Sequence, residues 1–183
     1  MTRGRVAMFC LIAAEAAMFT IFVVAYLFYA GKSLGGPEPK DVLRMPVLAT
    51  VCLLSSSVTI HLAVRAWKRG HTRAFARSWL ATIALGGFFL GSTGVEWHHL
   101  ICDDGLTIQT NLFGTTYYAL VGLHAFHVTV GLVCLTVVSA LAYLGHVRTA
   151  HAARGEVLSL YWHFVDAVWV VVFTVVYIIE RQA

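Results

Sequence analysis

The chain has 183 residues, 59% of them hydrophobic and only 12% charged, with a net charge of +4. Soluble domains carry about a quarter charged residues, so an ordinary soluble protein is excluded. A basic excess would suggest a nucleic-acid or other polyanionic partner in a soluble chain. Here the basic residues gather at the ends of apolar runs, and no nucleic-acid partner is expected.

The first apolar run, Val6 to Ala30, holds Glu15 near its middle. A secretory signal peptide is not expected, because the run is longer than a signal core and carries a carboxylate. From Gly31 to Met45 the chain is polar, and Gly35, Gly36, Pro37 and Pro39 break any helix. Four more apolar runs follow: Pro46 to Ala66, Trp79 to Trp97, Phe113 to Leu144 and Leu158 to Ile179. Each reaches the roughly 20 residues that a helix needs to cross a bilayer. The expected fold is therefore all-α, one domain over 1–183, an integral membrane bundle of five transmembrane helices at about 6–30, 46–68, 78–99, 113–145 and 157–180. The fourth is longer than a bilayer requires, so it tilts or projects beyond it.

Basic residues mark cytoplasmic loops. An N-terminus inside puts nine of them (Arg3, Arg5, Arg65, Lys68, Arg69, Arg73, Arg77, Arg148 and Arg154) on the cytoplasmic side, and four (Lys32, Lys40, Arg44 and Arg181) outside. That favours N-inside and C-outside, and the loop holding Asp103 and Asp104, without Lys or Arg, agrees. The cysteines stand singly at 10, 52, 102 and 134. With no C-x-x-C or C-x-x-C-H, covalent haem attachment and thiolate zinc sites have no support.

A titratable side chain deep in a bilayer costs a few kcal/mol or more unless it faces a partner or a polar cavity. At about 1.5 Å of rise per residue, Glu15, His124 and Asp166 lie about 14, 17 and 12 Å from their entry sides, near one level. Glu15 with His124 is the first expected pair, sharing a proton or forming an ion pair. Backbone carbonyls, hydroxyls or buried water are the alternative partners. His127 shares a helix face with His124, and Asp166 with His163. His61 and His163 both fall within about 8 Å of the cytoplasmic boundary. With Arg65 they form a candidate cluster for a lipid phosphate, and Trp162 is a further lipid-contact candidate. Interfacial side chains reaching water are the plainer reading. Glu96, Trp97, Tyr117 and Tyr118 fall near the outer boundary, where an aromatic belt accounts for most of them. Glycines in the third and fourth runs and Ser55, Ser56 and Ser57 in the second read as close-packing positions.

Bis-histidine haem ligation needs two imidazoles at one depth on different helices, and His61 with His163 is the best-matched pair. A redox-active membrane protein like a cytochrome b is therefore one alternative. A stand-alone proton channel, drawn from Glu15, His124 and Asp166, is another. No Walker loop, nucleophile elbow, H-E-x-x-H or dinucleotide fingerprint occurs. No catalytic or metal-ligating residue is assigned.

Tyr161-Trp162-His163-Phe164-Val165-Asp166 with Trp169 resembles the C-terminal signature of subunit III of haem-copper terminal oxidases, the cytochrome c oxidase subunit III family. Other blocks follow in that family's order. Glu15 with Met18 and Phe19 resembles its buried-glutamate segment. Pro46-Val47-Leu48-Ala49-Thr50 with Leu53-Leu54-Ser55-Ser56-Ser57 resembles its Pro-x-x-Asn-Thr, Leu-Leu-Ser-Ser block, with Ala49 in place of Asn. Glu96-Trp97 is similar to its Glu-Tyr pair, and Gly122-Leu123-His124-Ala125-Phe126-His127-Val128 to its Gly-x-His-x-x-His-Val motif. Glu156, five residues before Tyr161, stands where the family places a glutamate.

The resemblance covers nearly the whole chain, in the short five-helix bacterial form. It implies a non-redox accessory subunit of a proton-pumping terminal oxidase in aerobic respiration, in a complex that reduces oxygen to water, within the bacterial inner membrane. It would stabilise subunit I and support proton uptake, in contact with subunit I, subunit II and membrane lipids. It implies no cofactor in this chain, haem and copper in partner subunits, and bound phospholipid as a ligand. Glu15, His124, His127, His163, Asp166 and Glu156 are the polar residues it singles out. A subunit III of a quinol oxidase, or one associated with a nitric oxide reductase, is the alternative within the same resemblance.

Overall fold

The computed structural model describes residues 3–33, 35–37, 39–145 and 152–179, without the side chains of Lys40 and Asp41. Arg148 and Arg181, used in the charge argument above, lie outside the described residues.

Five helices are each long and apolar enough to cross a membrane. They are α1 (Arg3–Tyr29), α3 (Val47–Lys68), α4 (Thr72–Cys102), α5 (Leu112–Tyr143) and α6 (Ala152–Phe173), the last continued by a π-helical turn over Thr174–Ile179. A four-residue helix, α2 (Pro39–Val42), interrupts the first loop. The all-α class follows from the continuous apolar runs, because a backbone in lipid must satisfy its own polar groups. The third span is longer than its apolar run, since α4 begins at Thr72 and not near residue 78. Arg73 and Arg77 sit on those extra turns, where a charged helix can continue past the apolar stretch.

The turn between α3 and α4 has only three residues. Gly70, at φ 73°, takes the left-handed conformation. The amide of Gly70 then bonds the carbonyl of Trp67, and that of His71 the carbonyl of Ala66, each at 3.0 Å. This glycine-ended cap satisfies the last carbonyls of α3 and turns the chain straight back. At the other end of the bundle, Asn111 caps α5 by accepting from the Gly114 amide at 2.8 Å. Its side-chain amide donates to the carbonyls of Gly35 and Pro37, each at 3.2 Å.

Packing makes α6 the axis of the bundle. It lies against α1, α3 and α5, while α4 bridges α3 and α5. Along it Trp162, Val165, Trp169 and Val172 are fully buried. Trp162 fits because Gly86 on α4 and Gly131 on α5 leave room for its ring. A Cβ at either would stand 2.9 or 2.7 Å from it. α1 is the opposite case, since it packs on α5 and α6 yet buries only Phe19 and Tyr26. It exposes Phe9, Ile21, Val24 and Phe28, the surface of a helix whose solvent is lipid or another apolar chain.

Candidate functional site

Among the described residues, three polar clusters hold α1, α3, α5 and α6 together, the second and third of them joined through His163. The first joins α1 to α5. His127 Nε2 lies 3.1 Å from Glu15 Oε2, and its Nδ1 lies 2.8 Å from the carbonyl of Leu123. A carbonyl only accepts, so Nδ1 carries a proton and donates to it. The Nε2 to Oε2 contact then holds one further proton, either on the carboxyl or on the imidazole. The ring of Phe19 lies 5.0 Å from His127, and the Tyr161 hydroxyl donates to the His127 carbonyl at 3.1 Å.

The expected pairing of Glu15 with His124 is therefore corrected: the partner is His127. His124 is fully buried on another side of α5, stacked on Trp169 at 4.9 Å and edge-on to Phe89 at 5.7 Å. Neither of its ring nitrogens has a hydrogen-bond partner among the described residues. Both histidines lie at about the same depth. Their separation of three positions turns one toward α1 and the other into the aromatic core.

The second cluster joins α6 to α3. Ser57 Oγ donates to Asp166 Oδ2 and lies 3.0 Å from His163 Nδ1. Trp162 donates its indole N–H to Ser56 Oγ at 2.8 Å, and Trp169 to Thr50 Oγ1 at 3.1 Å. Asp166 thus faces a serine on α3, not a neighbourhood shared with Glu15 and His124. Trp162 is corrected as well. It is wholly enclosed by protein, so it is not a lipid contact.

The third cluster lies at the basic end. Glu156 on α6 pairs with both Arg5 on α1 and Lys68 on α3, tying three helices together. Beside it opens a pocket of about 370 Å³, into which His61, Arg65 and His163 also face. His61 and His163 thus line one pocket, as their depths suggest. A haem between them would share that space with the doubly paired Glu156, and the residues do not fit a porphyrin's flat apolar faces. Among the described residues no three of His, Cys, Asp and Glu converge as a metal-binding group.

At the opposite end, Tyr177 donates to Glu96 Oε1 at 3.1 Å and lies 3.4 Å from the Tyr117 hydroxyl. Tyr117 and Tyr177 are buried, so an interfacial belt describes this set incompletely. Trp97 and Tyr118 pack edge to face at 5.3 Å. Beyond α4, Asp103 lies 2.6 Å from His99 Nδ1. That hydrogen bond holds the Asp103 carboxyl below the usual carboxylate range.

The family model for cytochrome c oxidase subunit III matches residues 4–181. The chain belongs to that family. It is 35% identical to cytochrome c oxidase subunit 3 of Alkalihalophilus pseudofirmus, over 90% of this chain and 81% of that protein. Identity to the probable cytochrome c oxidase subunit 3 of Mycobacterium leprae is also 35%, over 89% and 82%. Cytochrome bo(3) ubiquinol oxidase subunit 3 of Pseudomonas aeruginosa is 35% identical, over 90% and 79%. Subunit III chains are accessory parts of a haem-copper oxidase, an oxidoreductase complex, so this one works together with other oxidase subunits.

Sequence reasoning on this subunit III missed Arg5, Lys68, Ser57, Thr50 and Tyr177 as partners. The signal for Tyr177 was available. Asp166, Trp169, Phe173 and Tyr177 follow at helical spacing on one side of the last span.

Proposed function

We propose that the chain is a non-redox accessory subunit of a terminal oxidase in the bacterial cell membrane, with its N-terminus inside, docked on the subunit that carries haem and copper. The match over residues 4–181 carries this reading. The bundle supplies a mechanism for the docking. α6 is locked by Trp162, Trp169 and Glu156, while α1 leaves most of its apolar surface free for lipid or a neighbouring subunit. The chain thereby stabilises the catalytic subunit and supports proton uptake, and it contributes no catalytic centre. His61 and Arg65 beside the Glu156 pairs suit a lipid phosphate at the basic end.

Purification of the native complex in mild detergent tests the assignment. A haem-copper subunit is expected to co-purify, and its absence would overturn the proposal. The electron donor has two readings, because relatives of equal identity are named for cytochrome c and for ubiquinol. A partner subunit II with a cysteine and histidine copper site assigns cytochrome c, and one without it assigns quinol.

A further inference from the structure

His163, Ser57 and Asp166 form a line running from the basic-end pocket into the bundle. His163 faces the pocket and lies 3.0 Å from Ser57 Oγ through Nδ1, which leaves Nε2 as the nitrogen free to meet the pocket. A serine hydroxyl has one proton to donate, and here it goes to Asp166 Oδ2. Ser57 Oγ can therefore accept from His163 Nδ1–H. Asp166 is 3% exposed, and its second oxygen, Oδ1, has no hydrogen-bond partner among the described residues. An ionised carboxylate there would be under-solvated, and protonation removes the charge.

We propose that this line is a proton-exchange site, in which Asp166 takes up and releases one proton through Ser57 and His163. A proton arriving from the pocket binds His163 Nε2. The Nδ1 proton passes to Ser57 Oγ as the Ser57 proton passes to Asp166 Oδ2. His163 ends neutral as the Nε2–H tautomer, Ser57 is unchanged, and Asp166 is a neutral acid. Charge has moved inward by one proton, and every atom is accounted for. Among the described residues no other titratable group bonds Asp166, Ser57 or His163. Glu156 is held by Arg5 and Lys68, Glu15 by His127, and His124 is stacked on Trp169. His61 and Arg65 line the pocket together with Arg5, Lys68 and Glu156, and these groups set its potential. The site goes beyond a docking role and does not depend on the electron donor.

Infrared difference spectroscopy of the full chain in its purified membrane complex tests the proposal. The carbonyl stretch of a protonated carboxylic acid is expected to appear as pH falls and to be lost in Asp166→Asn. In Ser57→Ala the band should persist but exchange with heavy water about a hundredfold more slowly, the low end of what a positioned proton-transfer group contributes. Ser57→Thr, which keeps a hydroxyl, should restore the rate. A structural hydroxyl alone would not move this exchange. A band that survives Asp166→Asn, no band at any pH, or equally fast exchange in Ser57→Ala would each overturn the proposal, and the two serine variants keep it testable if Asp166→Asn fails to assemble.

Discussion

Between α1 and α5 the carboxyl of Glu15 meets one imidazole at the edge of the bundle, whereas between α3 and α6 the carboxyl of Asp166 sits among two tryptophans and two serines. The Glu15 side chain keeps 24% of its surface exposed. The first seam has little packing around its polar contact, because α1 buries only Phe19 and Tyr26. In the second, indole rings fill the space between helices and their N–H groups fix the register of α6 on α3. Hydrogen bonds between membrane helices contribute about 1 kcal/mol, and burial of a large aromatic contributes several times more. The α1 seam therefore depends on its polar pair for specificity. The α6 seam depends on its packing, and its polar atoms choose the alignment.

The largest test of that contrast is Trp162→Ala, expected to destabilise the chain by about 3–5 kcal/mol, read by thermal unfolding of the complex in detergent. Gly131→Ala should cost about 1–3 kcal/mol by overpacking the same ring from the other side. Ile21→Ala, on the exposed face of α1, should change stability by less than about 0.5 kcal/mol. An Ile21→Ala as damaging as Trp162→Ala would dissolve the distinction between the helices. Next in size, Asp166→Leu leaves the part-buried Ser57 hydroxyl without its acceptor and should weaken assembly by about 1–3 kcal/mol. Asp103→Leu, outside the spans, serves as its control. Equal recovery of the two mutant complexes would contradict the buried role of Asp166.

A smaller effect separates the two histidines of α5. In a double-mutant cycle, Glu15→Ala and His127→Ala should couple by about 1 kcal/mol. Glu15→Ala and His124→Ala should add within about 0.5 kcal/mol. The reverse result would restore the partner that depth alone suggested.

That case shows what was legible in the chain. Span number and fold class could be read because a bilayer demands continuous apolar segments, and the residues at the basic end could be grouped because rise along a helix is fixed. Which face of each span is buried could not. Lipid and protein interior are both apolar, so α5 shows no strong division between a polar and an apolar side. Depth alone consequently points Glu15 to the wrong histidine and leaves Trp162 open to lipid, although two glycines on neighbouring helices make room for its ring inside the bundle. Ser57 read as a packing residue because a hydroxyl's partner depends on the helix that faces it. Glu156 carried its family position in the sequence. Its cations, Arg5 and Lys68, are brought to it only by the fold.

The smallest expected effect lies outside both seams, at the pair of Asp103 with His99. The folded carboxyl is held below its ordinary range by the hydrogen bond from His99. A carboxyl depressed by folding contributes stability above its unfolded pKa, and that contribution is lost as pH falls through the folded value. Both side chains are exposed, and solvent screens such a pair. Asp103→Asn should therefore lower stability near neutral pH only slightly and flatten the shallow acid-side loss, so that the two proteins converge at low pH. A titration of unfolding temperature against pH for the two proteins checks this. A large difference at neutral pH would mean that the loop after α4 is held by Asp103 far more firmly than its exposure allows, and that a third anchoring region must stand beside the two seams.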